Sequence, residues 1–386
     1  MRVDTALDVV DFAPPDLSEG EIAEVVATLR SGWLSTGPRV ERFERAFADY
    51  IGSPHAVAVN SCTAALHLSL IVAGVGPGDE VVTTPLTFCA TANVIVHAGA
   101  TPVFADVDPH TMNLTPESAV AATTPRTRAW IPVHFAGRPI DAAGFGLEAR
   151  RRNIVVIEDA AHCVEGISNG AKIGTTADLT CFSFYATKNL TTGEGGMVTT
   201  ASDEWADRIR IASLHGMSRG AWSRYGRPNT KRYELVLPGF KYNMPDLQAA
   251  IGLHQLASLE QRHARREAIC CRYDARLADL PIERPASVPS GDRHARHLYT
   301  ILVDEMRSGR SRDALQTALC DRGISTSVHF TALHLHPYYA DRFGYERGMF
   351  PVAESISDRT LSLPLSSGMT DDAVERVIDA MHDVLG

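Results

Sequence analysis

Two side chains in the segment from 153 to 200 could do carbonyl chemistry together. Asp159 ends the apolar run that begins at Ile154, and in an open α/β sheet ligands bind beyond the carboxyl ends of the strands. Lys188 lies between aromatic residues and a glycine-rich turn, where desolvation would lower its pKa and free the neutral amine to attack a carbonyl. Each residue also has an ordinary interpretation, Asp159 as a helix N-cap and Lys188 as a surface lysine. An imine-forming site is therefore predicted only in combination with other residues.

A second group of residues is suited to an anion. Ser61, Cys62 and Thr63 follow the predicted strand 55–59 and open a predicted helix, so free backbone N–H groups and the positive helix end point beyond that strand. The two hydroxyls favour a phosphate, and Ser183 could supply a third. A plain N-cap at Ser61 explains the same stretch.

Alternating β-branched runs and helical patterns indicate the elements that must position these groups. A capping box at Ser18 and Glu21 starts a helix over 19–31, and the segment 62–74 has a helical pattern. Near-continuous apolar strands with helical crossovers predict an α/β fold with a mainly parallel sheet covered on both faces. The predicted strands are 55–59, 80–84, 101–107, 128–135, 153–160, 180–185 and 196–200.

The remainder of the chain predicts a smaller α/β unit. A long helix is expected from about 244 to 275, opened by Pro245 and Asp246, and the stretch 281–296 is expected to be a connector. We predict a large domain over 1–255, with an N-terminal helical segment, and a smaller C-terminal domain over 256–386. The further predicted elements are a strand at 297–304, a helix near 310–322, a strand at 325–330 and a helix at 371–385.

Composition excludes several classes of protein. The chain has 386 residues, 45% of them hydrophobic, and a net charge of −9, which disfavours nucleic acid and an anionic membrane surface as partners. Seven cysteines without CxxC spacing, mostly in apolar segments, indicate reduced core thiols. The N-terminus does not resemble a signal peptide, and no long apolar stretch could span a membrane. We therefore expect a cytoplasmic protein, and no histidine spacing predicts a metal site.

Taken together, the motifs resemble fold-type I enzymes that use pyridoxal phosphate (PLP), and more narrowly the sugar aminotransferases of the DegT/DnrJ/EryC1/StrS family. The resemblance depends on Asp159 at a strand end, the Ser-Phe-x-x-x-Lys run at 183–188 with Gly-Glu-Gly-Gly behind it, and the Ser-x-Thr-Ala-Ala-Leu turn at 61–66. It covers nearly the whole chain and implies the large PLP-binding domain and smaller C-terminal domain of that fold. Further matching segments are 31–52, 84–108, 215–225, 239–256 and 323–339.

The resemblance implies a role for each cofactor-site residue. Lys188 forms the imine with PLP, and Asp159 pairs with the pyridinium nitrogen and keeps it protonated. His162 lies near the cofactor hydroxyl and completes the catalytic group, although a lone histidine is more often structural. Phe88 stacks on the ring, where ordinary core packing is the alternative. The phosphate is held by Ser61, Cys62, Thr63 and Ser183.

The resemblance also implies a homodimer with shared active sites. Asn243 matches the asparagine that reaches the phosphate of the neighbouring subunit. Positions lining the nucleotide-sugar cleft match Trp33, Leu34, Ser35, Thr36, His329 and Phe330, although Trp33 could instead anchor the first helix to the core.

The implied activity is a two-step amino transfer. L-glutamate gives its amino group to PLP, leaving pyridoxamine phosphate (PMP), which then aminates the ketone of a nucleotide-linked 4-keto-6-deoxy sugar such as dTDP-4-keto-6-deoxyglucose. Carbon 4 is favoured because Lys241-Tyr242-Asn243 and the segment 215–225 resemble that branch, whereas many relatives have Asn-Tyr-Arg at 241–243.

Three alternatives to this activity remain. A carbon-3 aminotransferase would use the same chemistry. A PMP-dependent sugar dehydratase usually carries histidine at the position of Lys188, and a catalytically silent PLP-binding regulator would not need Asp159, Lys188 and the phosphate turn together.

Overall fold

A seven-stranded sheet organises the first half of the chain in the computed structural model, which describes residues 9–218 and 234–386. Five adjacent strands of the sheet run parallel, and the strand Gly196–Thr200 is antiparallel to both of its neighbours. The predicted mainly parallel sheet is therefore confirmed. In spatial order the strands are β1 (His55–Val59), β9 (Gly196–Thr200), β8 (Leu179–Ser183), β5 (Val155–Asp159), β4 (Thr127–Ile131), β2 (Glu80–Thr83) and β3 (Thr101–Phe104).

Helices cover this sheet. The first begins with the predicted capping box, in which Ser18 and Glu21 bond reciprocally to the backbone, and it has the predicted bounds. Phe43 and Phe47 belong to the second helix, Pro38–Ile51, and pack against Phe182 and Phe184 at the end of a sheet strand. This contact buries one face of the helix. The helices are α1 (Glu19–Ser31), α2 (Pro38–Ile51), α3 (Cys62–Val72), α4 (Cys89–His97), α5 (Pro116–Ala121), α6 (Ala142–Arg152), α7 (Asp203–Ser213) and α8 (Asp246–Ala257). The short strands β6 (Ile167–Ser168) and β7 (Ala171–Lys172) form a separate hairpin.

A three-stranded antiparallel sheet lies in the C-terminal part, in the order β10 (Ile282–Glu283), β11 (Tyr299–Val303) and β12 (Thr360–Leu363). It shares a buried apolar core with residues such as Tyr273, Leu319 and Ile378. The division of the chain into domains after residue 255 stays a prediction. The helices here are α9 (Leu259–Arg276), α10 (Glu305–Ser308), α11 (Arg312–Cys320), α12 (Pro337–Phe343), α13 (Pro351–Arg359) and α14 (Asp371–Leu385).

The helical stretch expected over 244–275 is confirmed except for a break at Ser258, which divides it into α8 and α9. The Ser258 hydroxyl donates to the carbonyl oxygens of His254 at 3.2 Å and Gln255 at 3.3 Å. A serine that bonds locally to the preceding turn competes with helix propagation. The helix is therefore interrupted at this residue.

The strand expected over 325–330 is also wrong. Only Ser327 pairs with the small sheet, through Ser362, and the following residues, His329 and Phe330, line a cavity instead. The cysteine interpretation needs a similar correction, since Cys271 and Cys320 are exposed. None of the helices in the two described ranges is long and apolar enough to cross a bilayer, and most of the matching segment 215–225 lies outside those ranges.

Candidate active site

A cavity of about 480 Å³ lies at the carboxyl ends of the sheet strands. Loops that follow β1, β2, β5 and β8 form most of its wall, and later segments near 297 and 329 close another side. This is where an open α/β sheet binds its ligand. Of the predicted site residues, the cavity brings together Ser61, Cys62, Thr63, Phe88, Asp159, His162, Ser183, Lys188, His329 and Phe330.

Asp159 ends β5 with its carboxylate at the cavity wall. Burial raises the pKa of Asp159, while hydrogen bonds from the Thr91 hydroxyl at 2.7 Å and the Ala161 backbone N–H at 3.1 Å lower it. The nearby Lys188 lowers it further. The carboxylate is thus buried but supplied with donors, which is the setting of an anion that faces a cationic group. The N-cap interpretation of Asp159 is wrong, because no helix begins at Ala160, and the bond from Ala161 belongs to a turn.

Lys188 lies in the loop after β8, half-buried at the same cavity. Its backbone N–H donates to the carbonyl of Tyr185, and Phe184 pairs with Gly195 across the base of the loop. Burial lowers the pKa of Lys188 to about 8, while Cys62 and Asp159 act in the opposite direction. This lysine is not the solvated surface residue of the alternative interpretation. Its amine therefore reaches the neutral, nucleophilic form at a pH of about 8 and not only above 10.5.

The N-terminus of α3 is a candidate anion site. The Ser61 side chain caps the helix by accepting from the backbone N–H of Ala64 at 3.1 Å. The close approach of β9 depends on Gly196, because a Cβ atom there would lie 2.6 Å from the carbonyl carbon of Ser61 and 2.7 Å from the nitrogen of Cys62. The glycine-rich turn therefore packs against the helix end. Backbone N–H groups and the helix dipole favour an anion at this position.

Phe88 and His162 occupy different environments in the cavity. The Phe88 ring is 59% exposed, so core packing does not explain it, and it lies 6.1 Å from the ring of Phe330. His162 is buried, and its Nδ1 has no hydrogen-bond partner among the described residues. Burial lowers the pKa of His162 well below its usual value. A neutral histidine with an unpartnered buried nitrogen indicates a site that expects a polar ligand.

The other predicted residues lie elsewhere. Asn243 and Thr36 are joined by a hydrogen bond of 2.6 Å and line a second cavity of about 690 Å³ together with Trp33. The Trp33 indole N–H donates to the carbonyl of Thr36 at 3.1 Å, which fixes the turn. Leu34 and Ser35 line neither cavity. Within this chain the structure does not bring these residues to Lys188.

Sequence reasoning missed three residues of the site. Thr91 orients Asp159 from α4, His297 lines the cavity from the start of the predicted strand 297–304, and Asn189 bonds to His297. Threonine in a helix and histidine at the start of a predicted strand have no distinctive local pattern. Only the fold brings them to the cavity.

These residues fit PLP, the cofactor that the resemblance implies. The donor set of the α3 N-terminus suits its phosphate, the buried carboxylate of Asp159 suits its ring nitrogen, and the amine of Lys188 suits its aldehyde. The unpartnered Nδ1 of His162 shows that the cavity wall is built for a polar occupant. The exposed face of Phe88 leaves an aromatic surface for a planar ring.

Known proteins are similar to this chain in sequence and in structure. A model of the DegT/DnrJ/EryC1/StrS aminotransferase family matches residues 15–382. Spore coat polysaccharide biosynthesis protein SpsC of Bacillus subtilis (strain 168) is 52% identical over 375 residues, covering 97% of this chain and 96% of SpsC. The PMP-form of the putative sugar aminotransferase Spr1654 from Streptococcus pneumoniae has a TM-score of 0.91 at 34% identity, covering 97% of this chain and 98% of that one.

Two further solved structures are similar to this chain. The PLP-form of Spr1654 has a TM-score of 0.89 at 34% identity, covering 98% of this chain and 100% of that one. PseC of Helicobacter pylori, an aminotransferase involved in the biosynthesis of pseudoaminic acid, has a TM-score of 0.90 at 26% identity, covering 98% and 99% of the two chains. Because the family match spans nearly the whole sequence, this protein belongs to the DegT/DnrJ/EryC1/StrS aminotransferase family and is a sugar aminotransferase that depends on pyridoxal phosphate.

Proposed function

We propose that this enzyme moves the amino group of L-glutamate to carbon 4 of a nucleotide-linked 4-keto-6-deoxy sugar, such as dTDP-4-keto-6-deoxyglucose. The observation that carries the proposal is that Lys188, Asp159 and the α3 N-terminus line one cavity together with His329 and Phe330. The similarity to SpsC, whose name refers to polysaccharide biosynthesis, supports a sugar as the amino acceptor. The Lys241-Tyr242-Asn243 sequence supports carbon 4.

Different residues hold the phosphate, the ring and the ring nitrogen of the cofactor. The α3 N-terminus with Ser61, Cys62 and Thr63 holds the phosphate, Ser183 assists, and Phe88 packs on the ring. When bound, PLP supplies a carbonyl for the incoming amine and a ring that takes up the electrons released when a substrate C–H bond breaks. Asp159 is held by Thr91 and Ala161 as an anion facing the ring nitrogen.

Lys188 moves the protons. Its Nζ takes a proton from the α-carbon of glutamate, and in the second half-reaction it returns a proton to the sugar carbon that bears the new nitrogen. A low pKa suits this exchange, since the amine must act as base and its conjugate acid as donor near neutral pH. His162 stays neutral in its buried position and lies near the cofactor hydroxyl.

We further propose that the working unit is a homodimer with shared active sites. Asn243 lines the second cavity and not the first, which supports a role toward the neighbouring subunit. Intersubunit complementation tests this role. We expect Lys188→Ala and Asn243→Ala variants to be inactive alone and to regain part of the activity when they are unfolded, mixed and refolded, because mixed dimers hold one intact site. Refolded mixtures as inactive as the single variants would contradict shared sites.

The substrate is tested by direct conversion. The purified enzyme, loaded with PLP, is offered dTDP-4-keto-6-deoxyglucose and L-glutamate, and the product is identified by mass spectrometry and NMR. We expect an amino group on carbon 4, and no product with Lys188→Ala. An amino group on carbon 3, a dehydrated sugar, or a cofactor that glutamate does not convert to PMP would each replace the proposal with one of the three alternatives.

A further inference from the structure

His297 is a buried residue of the cavity for which the proposed mechanism has no role. It comes from the segment before β11, is only 6% exposed, and its ring centroid lies 4.4 Å from that of His162. Its backbone N–H donates to the carbonyl of Ala136 at 3.2 Å. The ring is therefore fixed at the cavity wall by the backbone that carries it.

The hydrogen bonds of Asn189 determine which nitrogen of His297 carries the proton. The Asn189 Nδ2 donates to Glu165 Oε2 at 2.9 Å and to the carbonyl of Ala295 at 2.8 Å. Both partners are pure acceptors, so the orientation of the amide is fixed. The Asn189 Oδ1 then faces His297 Nδ1 at 3.1 Å. Because an amide oxygen only accepts, Nδ1 must be the protonated nitrogen.

The support behind Asn189 is itself rigid. Glu165 forms a buried ion pair with Arg266, and the Arg266 Nε donates to the carbonyl of Arg296 at 3.1 Å. The carboxylate therefore cannot turn away from the amide of Asn189 without leaving a buried charge unpaired. This arrangement ties α9, the loop of Lys188 and the segment of His297 together.

The consequence is a free acceptor at the cavity. Burial lowers the pKa of His297 well below its usual value, so the ring is neutral and has one proton. With that proton on Nδ1, Nε2 presents a lone pair, and it has no hydrogen-bond partner among the described residues. A neutral histidine nitrogen of this kind accepts a hydrogen bond from a hydroxyl group.

We propose that His297 Nε2 accepts a hydrogen bond from a hydroxyl group of a molecule bound in the cavity, and that Asn189 is its positioning residue. This inference rests on the proposed function, in which two hydroxyl donors occupy the cavity, the ring hydroxyl of PLP and the hydroxyls of the keto sugar. Both offer the same chemistry to Nε2. His297 thus adds a ligand-recognition residue to the site.

The tautomer is measured first, without catalysis. Holoenzyme labelled with ¹⁵N-histidine is examined by NMR, and the signal of His297 is assigned by its loss in His297→Gln. We expect the Nδ1–H form in the unaltered enzyme and a shift toward the Nε2–H form in Asn189→Ala. An Nε2–H form in the unaltered enzyme, or a tautomer that Asn189→Ala leaves unchanged, would overturn the assignment.

The hydroxyl is then identified by two constants, the dissociation constant of PLP and the KM of the keto sugar. In His297→Phe, which keeps a ring and lacks the acceptor, we expect one of them to rise about five- to tenfold, as expected for the loss of one hydrogen bond. A rise in the dissociation constant assigns the cofactor hydroxyl, and a rise in KM with an unchanged dissociation constant assigns the sugar. We expect His297→Gln, whose amide oxygen can accept, to recover part of the loss.

His294→Phe is the matched control, since His294 is a buried histidine of the same segment that does not line this cavity. Equal effects of the two phenylalanine variants, or changes within about twofold in both constants for His297→Phe, would overturn the proposal. If no keto sugar is converted, the proposed function fails by itself. The NMR signal and the PLP constant then decide on His297, and an unchanged PLP constant would count against it.

Discussion

Thr91 and Asp159 are joined by a hydrogen bond of 2.7 Å between Thr91 Oγ1 and Asp159 Oδ2. The Thr91 hydroxyl also lies 2.9 Å from the hydroxyl of Thr87. Since Thr91 donates its only hydroxyl proton to the carboxylate, Thr87 must donate to Thr91. This short relay opposes the effect of burial, which on its own raises the pKa of Asp159. The charge of this buried carboxylate therefore depends on a residue of α4 that does not itself line the cavity.

We expect Thr91→Val to impair the enzyme through Asp159. The substitution keeps the shape and removes a hydrogen bond to a charged group, which is worth about 1.5–3 kcal/mol. The pKa of Asp159 should rise, so the ionised form needed at the ring nitrogen is lost at a higher pH. The rate of the glutamate half-reaction should fall about tenfold or more, and the acid limb of its pH profile should move to higher pH.

The matched control is Thr91→Ser, which keeps the hydroxyl and should keep most of the rate. Stopped-flow absorbance of the bound cofactor over a pH series measures both variants. An acid limb that stays at the same pH in Thr91→Val would mean that this hydrogen bond does not set the ionisation of Asp159.

The pKa of Lys188 predicts how the apoenzyme takes up its cofactor. Burial lowers this pKa from 10.5 to about 8, and only the neutral amine attacks an aldehyde. The rate of PLP incorporation should rise with pH through about 8 and then level off. Asp159→Asn removes a negative charge that raises the pKa of Lys188, so the midpoint should move to lower pH.

Incorporation is followed by the visible absorption of the bound cofactor, with an acetylated lysine amide as the solution reference. Borohydride reduction and peptide mapping should place the label on Lys188. A midpoint equal to that of the reference, or a label on another residue, would contradict the assigned nucleophile.

Much of the fold follows from local patterns in the sequence. The capping box at Ser18 marks the start of α1, and the apolar runs that become β1 and β9 have the predicted bounds. A buried strand is a run of apolar residues, and a capped helix is a cap residue followed by a periodic pattern. Both can therefore be recognised from a few neighbouring residues. The cavity residues at the ends of β1, β5 and β8 were predictable for the same reason. Strand ends in a parallel sheet converge on one edge.

The remaining features depend on contacts between distant segments. Thr91 and Asp159 are 68 positions apart, and Asn189 and His297 are 108 apart, so no local spacing could pair them. The run 325–330 has the composition of a strand, yet His329 does not pair with the small sheet through its backbone. Its ring instead bonds the hydroxyl of Ser362. Trp33 and Thr36 were expected beside the substrate and line the second cavity instead. Such placements are decided by packing.

Phe88 should contribute to cofactor binding without contributing to folding. Because its ring is 59% exposed, Phe88→Ala should change the free energy of unfolding by less than about 0.5 kcal/mol, whereas the dissociation constant of PLP should rise because the stacking surface is lost. Phe88→Tyr should bind PLP as the unaltered enzyme does. For contrast, Phe104→Ala in the core should cost about 3–5 kcal/mol. Thermal denaturation of the apoenzyme and PLP titration separate the two effects, and an unchanged PLP affinity in Phe88→Ala would remove the stacking role.

Gly196 is the position where a single methyl group should damage the phosphate site. The added Cβ of Gly196→Ala would meet backbone atoms of Ser61 and Cys62 at 2.6 to 2.7 Å, and backbone cannot move aside as the end of a flexible side chain can. Either β9 or the N-terminus of α3 must shift, at a cost of about 1–3 kcal/mol of stability. The shift misaligns the N–H groups that face the phosphate, so the affinity for PLP should fall together with the unfolding temperature.

Gly76→Ala is the control for this substitution, since a Cβ at Gly76 meets nothing within 4 Å. That variant should unfold at the temperature of the unaltered enzyme and bind PLP normally. The two alanine variants therefore separate the general effect of replacing a glycine from the close approach of β9 to α3. A Gly196→Ala enzyme that binds PLP as tightly as Gly76→Ala would show that the N-terminus of α3 tolerates displacement, and the phosphate would then have to depend on side-chain hydroxyls more than on the helix end.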